Sequence, residues 1–200
     1  ILQYPKGLFQ TGDWLANLLF YAEAWMKITG SQQVWAGESW RLRVDTLETA
    51  NGRTHQRGVI EHPGAVVLIP WLGDGRILMI RQYRLAINQT ILELPAGTRG
   101  WDEDWLACAQ RELREETGHR ADQFTHLSDI WPAPGLSSEL LRLFLAEGLH
   151  PDPLPQDDDE EIEIAPTSLA DLLPMARDGR LRDAKTIIGL WHTAVHLGLA

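Results

Sequence analysis

Apolar side chains recur along this chain in two rhythms, and the changes of rhythm mark its elements. Trp14, Leu18, Tyr21 and Trp25 return every three or four positions, the spacing that gathers side chains on one helical face. Thr11 to Asp13 offers a cap and Thr29-Gly30 a stop, so a helix is predicted to about Lys27. From Ser39 to about Glu61 the rhythm shortens to two. Trp40, Leu42 and Val44 alternate with Arg41, Arg43 and Asp45, and Asn51-Gly52 is a hairpin turn signal. Ala65 to Trp71 is a nearly unbroken apolar run, as in a strand covered on both faces. Gly73-Asp74-Gly75 turns the chain, Arg76 to Tyr83 returns as a strand, and Ile91 to Leu94 is a short one broken by Pro95-Ala96-Gly97. A helix is predicted from Asp102 to Thr117, with Asp102, Glu103 and Asp104 at its positive end and Gly118 as its stop. Strands near Phe124 to Ile130, Leu140 to Ala146 and Glu161 to Ala165 follow, then helices over Ser168 to Arg177 and Asp183 to Leu197. Pro174 is expected to kink or shorten the first of these two helices.

Strands interleaved with helices, in partly mixed direction, indicate an α/β sandwich. Two hundred residues accommodate one full domain and an accessory segment. The expected division is 1–60, an N-terminal helix and antiparallel β-hairpin segment, and 61–200, the main domain. Apolar residues make up 44% of the chain and charged ones 23%, a core-forming composition. The formal net charge of −10, with no cluster of Lys or Arg, argues against a nucleic-acid backbone as partner. The single cysteine, Cys108, excludes an internal disulfide and suggests a reducing cytoplasm. The N-terminus, Ile1-Leu2-Gln3-Tyr4-Pro5, lacks the order of a signal peptide. Trp14 to Ile28 is interrupted by Asn17, Glu23 and Lys27, short of the about 20 apolar residues a membrane span needs. No membrane partner is expected.

Candidate chemistry concentrates in Gly97 to His119, GTRGWDEDWLACAQRELREETGH. On a helix turning about 100° per residue, Glu112, Glu115 and Glu116 share one face. Leu106, Ala109 and Leu113 form an adjacent stripe that would bury that side against a sheet. Three like charges so close repel one another, and the arrangement is costly unless cations sit among them. Hard divalent ions take carboxylate, carbonyl, water and phosphate oxygens. A cluster left on the surface without a ligand is the alternative that spacing alone would allow. Arg111 is placed to pair with Glu115, and Glu103 is expected on the far side of the helix in a structural role. Trp105 and Cys108 are read as packing, since nothing marks Cys108 as an activated thiol.

The same segment resembles the Nudix box. Gly97, Glu103, Arg111, Glu112, Leu113, Glu115, Glu116 and Gly118 occupy its specified places, and His119 replaces the final aliphatic. The resemblance implies a Nudix-type α/β/α sandwich with a mixed sheet. It also implies metal ligands at Glu112, Glu115, Glu116 and the Ala96 backbone carbonyl, with Mg²⁺ as cofactor and Mn²⁺ able to substitute. Gly97 is expected to turn the chain tightly and bring that carbonyl to the carboxylates. Arg81-Gln82-Tyr83-Arg84, Glu93-Leu94-Pro95-Ala96-Gly97 and Pro134-Gly135-Leu136-Ser137-Ser138-Glu139 are similar to the ADP-ribose pyrophosphatase branch. The implied reaction is hydrolysis of a nucleoside-diphosphate sugar, ADP-ribose first, to AMP and ribose 5-phosphate. GDP-mannose, ADP-glucose or UDP-glucose are the alternative substrates; a CoA or dinucleoside-polyphosphate hydrolase fits the Pro134 signature less well. A non-catalytic ADP-ribose sensor is the reading from another class, and the intact carboxylates speak against it.

Glu139, on a Pro-Gly loop, is the candidate general base or a late metal ligand, with an ordinary exposed loop acid as the plain alternative. Arg81 and Arg84, three apart on a strand, must face opposite ways, and Arg81 is the one expected to reach the substrate. Trp40 and Arg57 are candidates for the base pocket, with Trp35 and Trp71 as further possibilities. The resemblance implies a homodimer whose N-terminal strands help form that pocket. Asp157 to Glu161 reads as a solvated loop rather than a cation site, and His192 and His196 as ordinary helix histidines, since no third ligand accompanies them.

Overall fold

The computed structural model describes residues 26–156 and 161–199. Most of the predicted N-terminal helix, and all but the last residue of the acidic run, lie outside that range. Met26 and Lys27, placed at the end of that helix, are instead the start of strand β1 (Met26–Ala36). β1 pairs antiparallel with β2 (Arg41–Thr49), and β2 with β3 (Thr54–Glu61), in a three-stranded sheet. The expected turn joins β2 to β3, with Gly52 at φ 77, a conformation open to glycine without steric cost. β1 was not foreseen, and the reason is physical. All eleven of its residues are exposed, so burial imposes no alternation, and a register shift between Ile28 and Gly30 breaks the period.

β4 (Ala65–Pro70) is buried throughout and explains the layering. It pairs parallel with β9 (Leu141–Pro151) and antiparallel with β7 (Ala96–Thr98), and β9 pairs antiparallel with β8 (His119–Ile130), giving a mixed sheet in order β7-β4-β9-β8. Val66 and Leu68 point to one side, against Cys108, Ala109 and Leu113 of helix α1 (Trp105–Thr117). Ala65, Val67 and Ile69 point to the other, into a core shared with α2 (Leu169–Arg177) and α3 (Ala184–His196). The third sheet, β10-β5-β6, closes that second core with Ile77 and Met79 of β5 (Arg76–Arg84), flanked by β6 (Gln89–Glu93) and β10 (Ile162–Ser168). The continuous apolar run was thus the signature of a strand sandwiched between two layers.

The helix ends follow from local chemistry. Asp104 accepts hydrogen bonds from the Leu106 and Ala107 N–H groups, and α1 therefore starts at Trp105, three residues later than predicted. Gly118, at φ 71, stops it. α2 runs through Pro174 to Arg177, and Asp183 caps α3 by accepting from Thr186 N–H. No described helix is long and apolar enough to cross a membrane.

Candidate active site

The face of α1 that carries the box glutamates meets strand β7. Glu112 and Glu116 are buried, 7% and 1% exposed. Ala96 N–H donates to Glu116 Oε2 at 2.9 Å. A Cβ added at Gly97 would land on the Glu112 carboxylate. Gly97 lies within β7, without a positive φ. Its part is therefore not the tight turn expected of it: it leaves room for a carboxylate to lie against bare backbone.

Arg111 organises the rest. Its Nη1 donates to Glu112 Oε1 at 2.7 Å and to Glu115 Oε2 at 2.8 Å. Its Nε and Nη2 donate to the two oxygens of Glu103 at 2.9 and 3.0 Å, and Nη2 also reaches Thr98 O at 3.2 Å. Glu103 therefore faces the carboxylates, contrary to the far-side placement expected from sequence. It precedes the first turn of α1, so helical projection did not apply to it. The hydrogen bonds from Arg111 hold its carboxyl down at about 2, and Glu103 in turn raises the Arg111 guanidinium above its usual value. Cys108 is buried, and that burial pushes its thiol well up, consistent with packing rather than reactivity.

Beside this face opens a cavity of about 270 Å³ between Ala96, Gly97, Glu139, Arg84, Asp183 and Lys185. Arg84 and Lys185 both bind Glu93, which is wholly buried. Arg84 Nε donates to Glu93 Oε1 at 2.7 Å, and Lys185 Nζ donates to Glu93 Oε2 and, at 3.0 Å, to Asp183 Oδ2. Buried ions survive when paired in this way. Thr186 Oγ accepts from Leu94 N–H at 2.8 Å and donates to Asp183 at 2.6 Å, tying the start of α3 to the end of β6. The cavity is thus lined by two acids, Glu139 and Asp183, and two cations, Arg84 and Lys185.

Glu139 lines the cavity from a loop pinned to β3. Ile60 N–H donates to Leu136 O and Ser138 N–H to Ile60 O, each at 2.9 Å, and His62 N–H donates to Ser138 Oγ at 3.0 Å. His62 Nδ1 accepts from Gly64 N–H at 3.0 Å, so that nitrogen carries no proton. Burial holds the ring below its usual pKa, against the pull of Glu139 at 3.9 Å.

The structure gathers Glu112, Glu115, Glu116, Ala96 and Glu139 around one region. It does not bring Arg81, Arg57 or Trp40 there. Arg81 faces a separate cavity, and Arg84 lines this one. The parity argument for β5 holds, since Gln82 and Ile80 share the buried face with Glu93 opposite. The choice between the arginines needed knowledge of which face Glu93 lies on. Arg57 is exposed on β3, its Nη1 donating to Gln56 O at 3.2 Å. Trp40 stacks on Trp35 at 4.3 Å, and Trp71 packs against the second core. Lys185 and Glu93 were missed as a pair, because their 92 positions of separation leave no local signal.

The donor set fits a hard dication. Three carboxylates on one face and a strand carbonyl are the oxygen environment such ions select. As the side chains stand, Arg111 lies between Glu112 and Glu115, and among the described residues no three His, Cys, Asp or Glu side chains are gathered closely enough to hold a metal ion.

A mixed sheet packed with helices is also what comparison with known proteins finds. A solved structure described as an ADP compounds hydrolase superposes with a TM-score of 0.75 over 88% of this chain and 97% of its own, at 23% identity, a likeness of fold. The methanol dehydrogenase activator of Bacillus methanolicus is 34% identical over 166 residues, 82% of this chain and 90% of that one. The ADP-ribose pyrophosphatase of Bacillus subtilis (strain 168) is 34% identical over 162 residues, 80% and 88% of the two chains. The GDP-mannose pyrophosphatase of Yersinia pestis (strain Pestoides F) is 34% identical over 143 residues, 66% and 71%. Residues 61–188 match the NUDIX domain family. The chain belongs to that family.

Proposed function

We propose that this chain hydrolyses the diphosphate linkage of a nucleoside-diphosphate sugar, with ADP-ribose the leading substrate and AMP and ribose 5-phosphate the products. The carrying observation is that Glu112 lies against the bare backbone of Gly97 beside a cavity lined by Arg84, Lys185 and Glu139. Family membership and relatives named for ADP-ribose and GDP-mannose hydrolysis support the same reaction class.

Nudix hydrolases generally need divalent metal ions, and Mg²⁺, with Mn²⁺ as substitute, is our choice here. Glu112, Glu115, Glu116 and the Ala96 carbonyl would hold it. Bound there, a dication supplies charge for the diphosphate oxygens and makes a coordinated water more acidic. Arg111 orients Glu112 and Glu115. Arg84 and Lys185 present cationic edges to the diphosphate, where a guanidinium fork matches phosphate oxygens. A carboxylate oxygen of Glu139 accepts the proton of the attacking water as its oxygen bonds to phosphorus and the bridging P–O bond breaks.

We assign residues 61–200 as the hydrolase domain and 1–60 as a dimerisation segment. In a homodimer, Trp40 and Arg57 would serve the base pocket across the interface, since within one chain neither lines the carboxylate cavity. A cytoplasmic setting suits the buried free thiol of Cys108.

The test is a panel of ADP-ribose, GDP-mannose, ADP-glucose and UDP-glucose with Mg²⁺ or Mn²⁺, scored as nucleoside monophosphate released. ADP-ribose is expected to give the highest kcat/KM. GMP release from GDP-mannose as the main product would move the assignment to that substrate, and binding of ADP-ribose without turnover would indicate a sensor. Glu116→Gln is expected to lower kcat by roughly 10³-fold or more, the scale seen when transition-state charge stabilisation is removed.

A further inference from the structure

A second cavity, of about 540 Å³, lies between β5, β6 and the turn joining α2 to α3. Its size is within the range of small-molecule sites, roughly 300–1,000 Å³. It meets the carboxylate cavity only at Asp183. Three guanidinium groups line it, Arg81 from β5 and Arg180 and Arg182 from the turn, together with Asp178 and Asp183.

These charges do not cancel evenly. Arg180 grips Asp178, with Nε at 3.0 Å from both carboxylate oxygens and Nη2 at 2.7 Å from one. Asp183 is taken up by Lys185 at 3.0 Å and by the N–H and hydroxyl of Thr186 at 3.0 and 2.6 Å. Arg81 and Arg182 remain. The salt-bridge partner of Arg81 is Glu163, at 3.9 Å and 75% exposed, a weak competitor. Arg182 makes no ion pair among the described residues. Arg182, with Arg81 only weakly paired beside it, thus leaves an excess of positive charge in one cavity of a chain whose formal net charge is −10.

The local fold builds this arrangement. Gly179, at φ 82, turns the chain after α2. Leu181, 3% exposed, then anchors the turn in the core, its N–H donating to Met175 O at 3.0 Å. With Leu181 facing inward, the arginines on either side of it face out. Ile91, Leu92 and Met175 give the cavity an apolar wall.

We propose that this cavity binds a phosphate monoester, its phosphate held by Arg81 and Arg182 and its organic part resting on the apolar wall. Guanidinium forks are matched to phosphate oxygens, and an unpaired fork on Arg182 beside the weakly paired one on Arg81, with an adjacent apolar surface, suits a sugar or nucleoside phosphate better than a bare cation or an apolar ligand. The site is separate from the hydrolytic one and does not depend on that reading. Arg81 belongs to this second cavity.

The test is calorimetric titration of the metal-free chain with inorganic phosphate, AMP and ribose 5-phosphate, using wild type, Arg182→Glu and Arg182→Lys. Arg182 is exposed, so both variants are expected to fold, which circular dichroism checks. Arg182→Glu is expected to weaken binding by about tenfold or more and Arg182→Lys by less, because lysine keeps the charge without the fork. Equal binding by the three organic and inorganic probes would assign the site to free phosphate; a preference for the two esters would show recognition of the organic part. ADP-ribose hydrolysis by Arg182→Glu is expected to match wild type, so loss of binding with intact turnover separates the two sites. Identical titrations for wild type and Arg182→Glu, or no binding of any probe at concentrations on the order of 10 mM, would overturn the proposal whether or not the chain hydrolyses ADP-ribose.

Discussion

A methyl group added at Gly97 would occupy the space of the Glu112 carboxylate, so Gly97→Ala must displace either the strand or the acid. Overpacking of this kind costs about 1–3 kcal/mol, a tolerable loss for a folded domain. The proposed metal site has no such margin, because ligand positions matter on the scale of about 0.5 Å. Gly97→Ala is therefore expected to remain folded, with kcat down by at least about 10²-fold; steady-state kinetics beside a thermal melt would show the split. Glu103 offers a second residue-scale test. Its carboxyl is lowered from 4.5 to about 2 by Arg111, so its contribution to stability is full above pH 4.5 and is lost as pH falls toward 2. Glu103→Gln is expected to melt lower than wild type at pH 7, with the gap narrowing below pH 4.5 and closing only as the pH approaches 2. A gap that stays constant with pH would separate Glu103 from the acid dependence. At this scale the sequence was most legible where residues are close along the chain. The spacing of Glu112, Glu115 and Glu116 predicts their common face, and Arg111 bonds Glu115 one turn away. Arg84 was passed over because its partner Glu93 arrives from another strand, and alternation along β5 cannot say which face that strand covers.

Elements were readable from sequence in proportion to how strongly burial or turn chemistry marks them. β4 shows a continuous apolar run because α1 covers one side and α2 with α3 the other, and β2 and β3 announced themselves through the Asn51-Gly52 turn. β1 carried no such mark, being exposed along its length. The placement of α3 was equally silent, since it depends on one absent side chain. A Cβ on Gly189 would stand 2.5 Å from Leu94 Cδ1 and 3.7 Å from Ile69 Cγ1. Lys185, one turn earlier, reaches Glu93 from the position this close approach allows. Gly189→Ala gains about 1 kcal/mol of helix propensity and meets an overpacking cost of about 1–3 kcal/mol. The melting temperature is thus expected to change little, while withdrawal of Lys185 from the cavity lowers kcat/KM for ADP-ribose by about tenfold or more. Unchanged kinetics would mean that Lys185 contributes nothing to substrate binding.

The β1-β2-β3 sheet stands apart from the two cores, joined to the rest through the Ile60–Leu136 and Ile60–Ser138 hydrogen bonds and the stacking of Arg41 on Trp101 at 4.1 Å. It carries Met26, Ile28, Val34, Trp35 and Trp40 at 38–56% exposure, and β1 is a sheet edge among the described residues. Such an edge with aromatic residues beside it is a surface that proteins normally cover. A second copy of the chain is the occupant we expect, because among the described residues of one chain no aromatic side chain lines the carboxylate cavity. A specific interface buries about 1,200–2,000 Å² in total, and its energy concentrates in a few aromatic anchors. Replacing both Trp35 and Trp40 with glutamate places unpaired charges where those anchors would sit. Sedimentation velocity is expected to show a dimer for wild type and a monomer for the double variant. If the dimer also completes the base pocket, KM for ADP-ribose should rise by about tenfold or more at low protein concentration. The effect on kcat should be smaller, because Glu112, Glu115, Glu116 and Glu139 all belong to one chain. A wild-type monomer that turns over ADP-ribose with a KM indifferent to these two residues would leave the sheet without a part in the site.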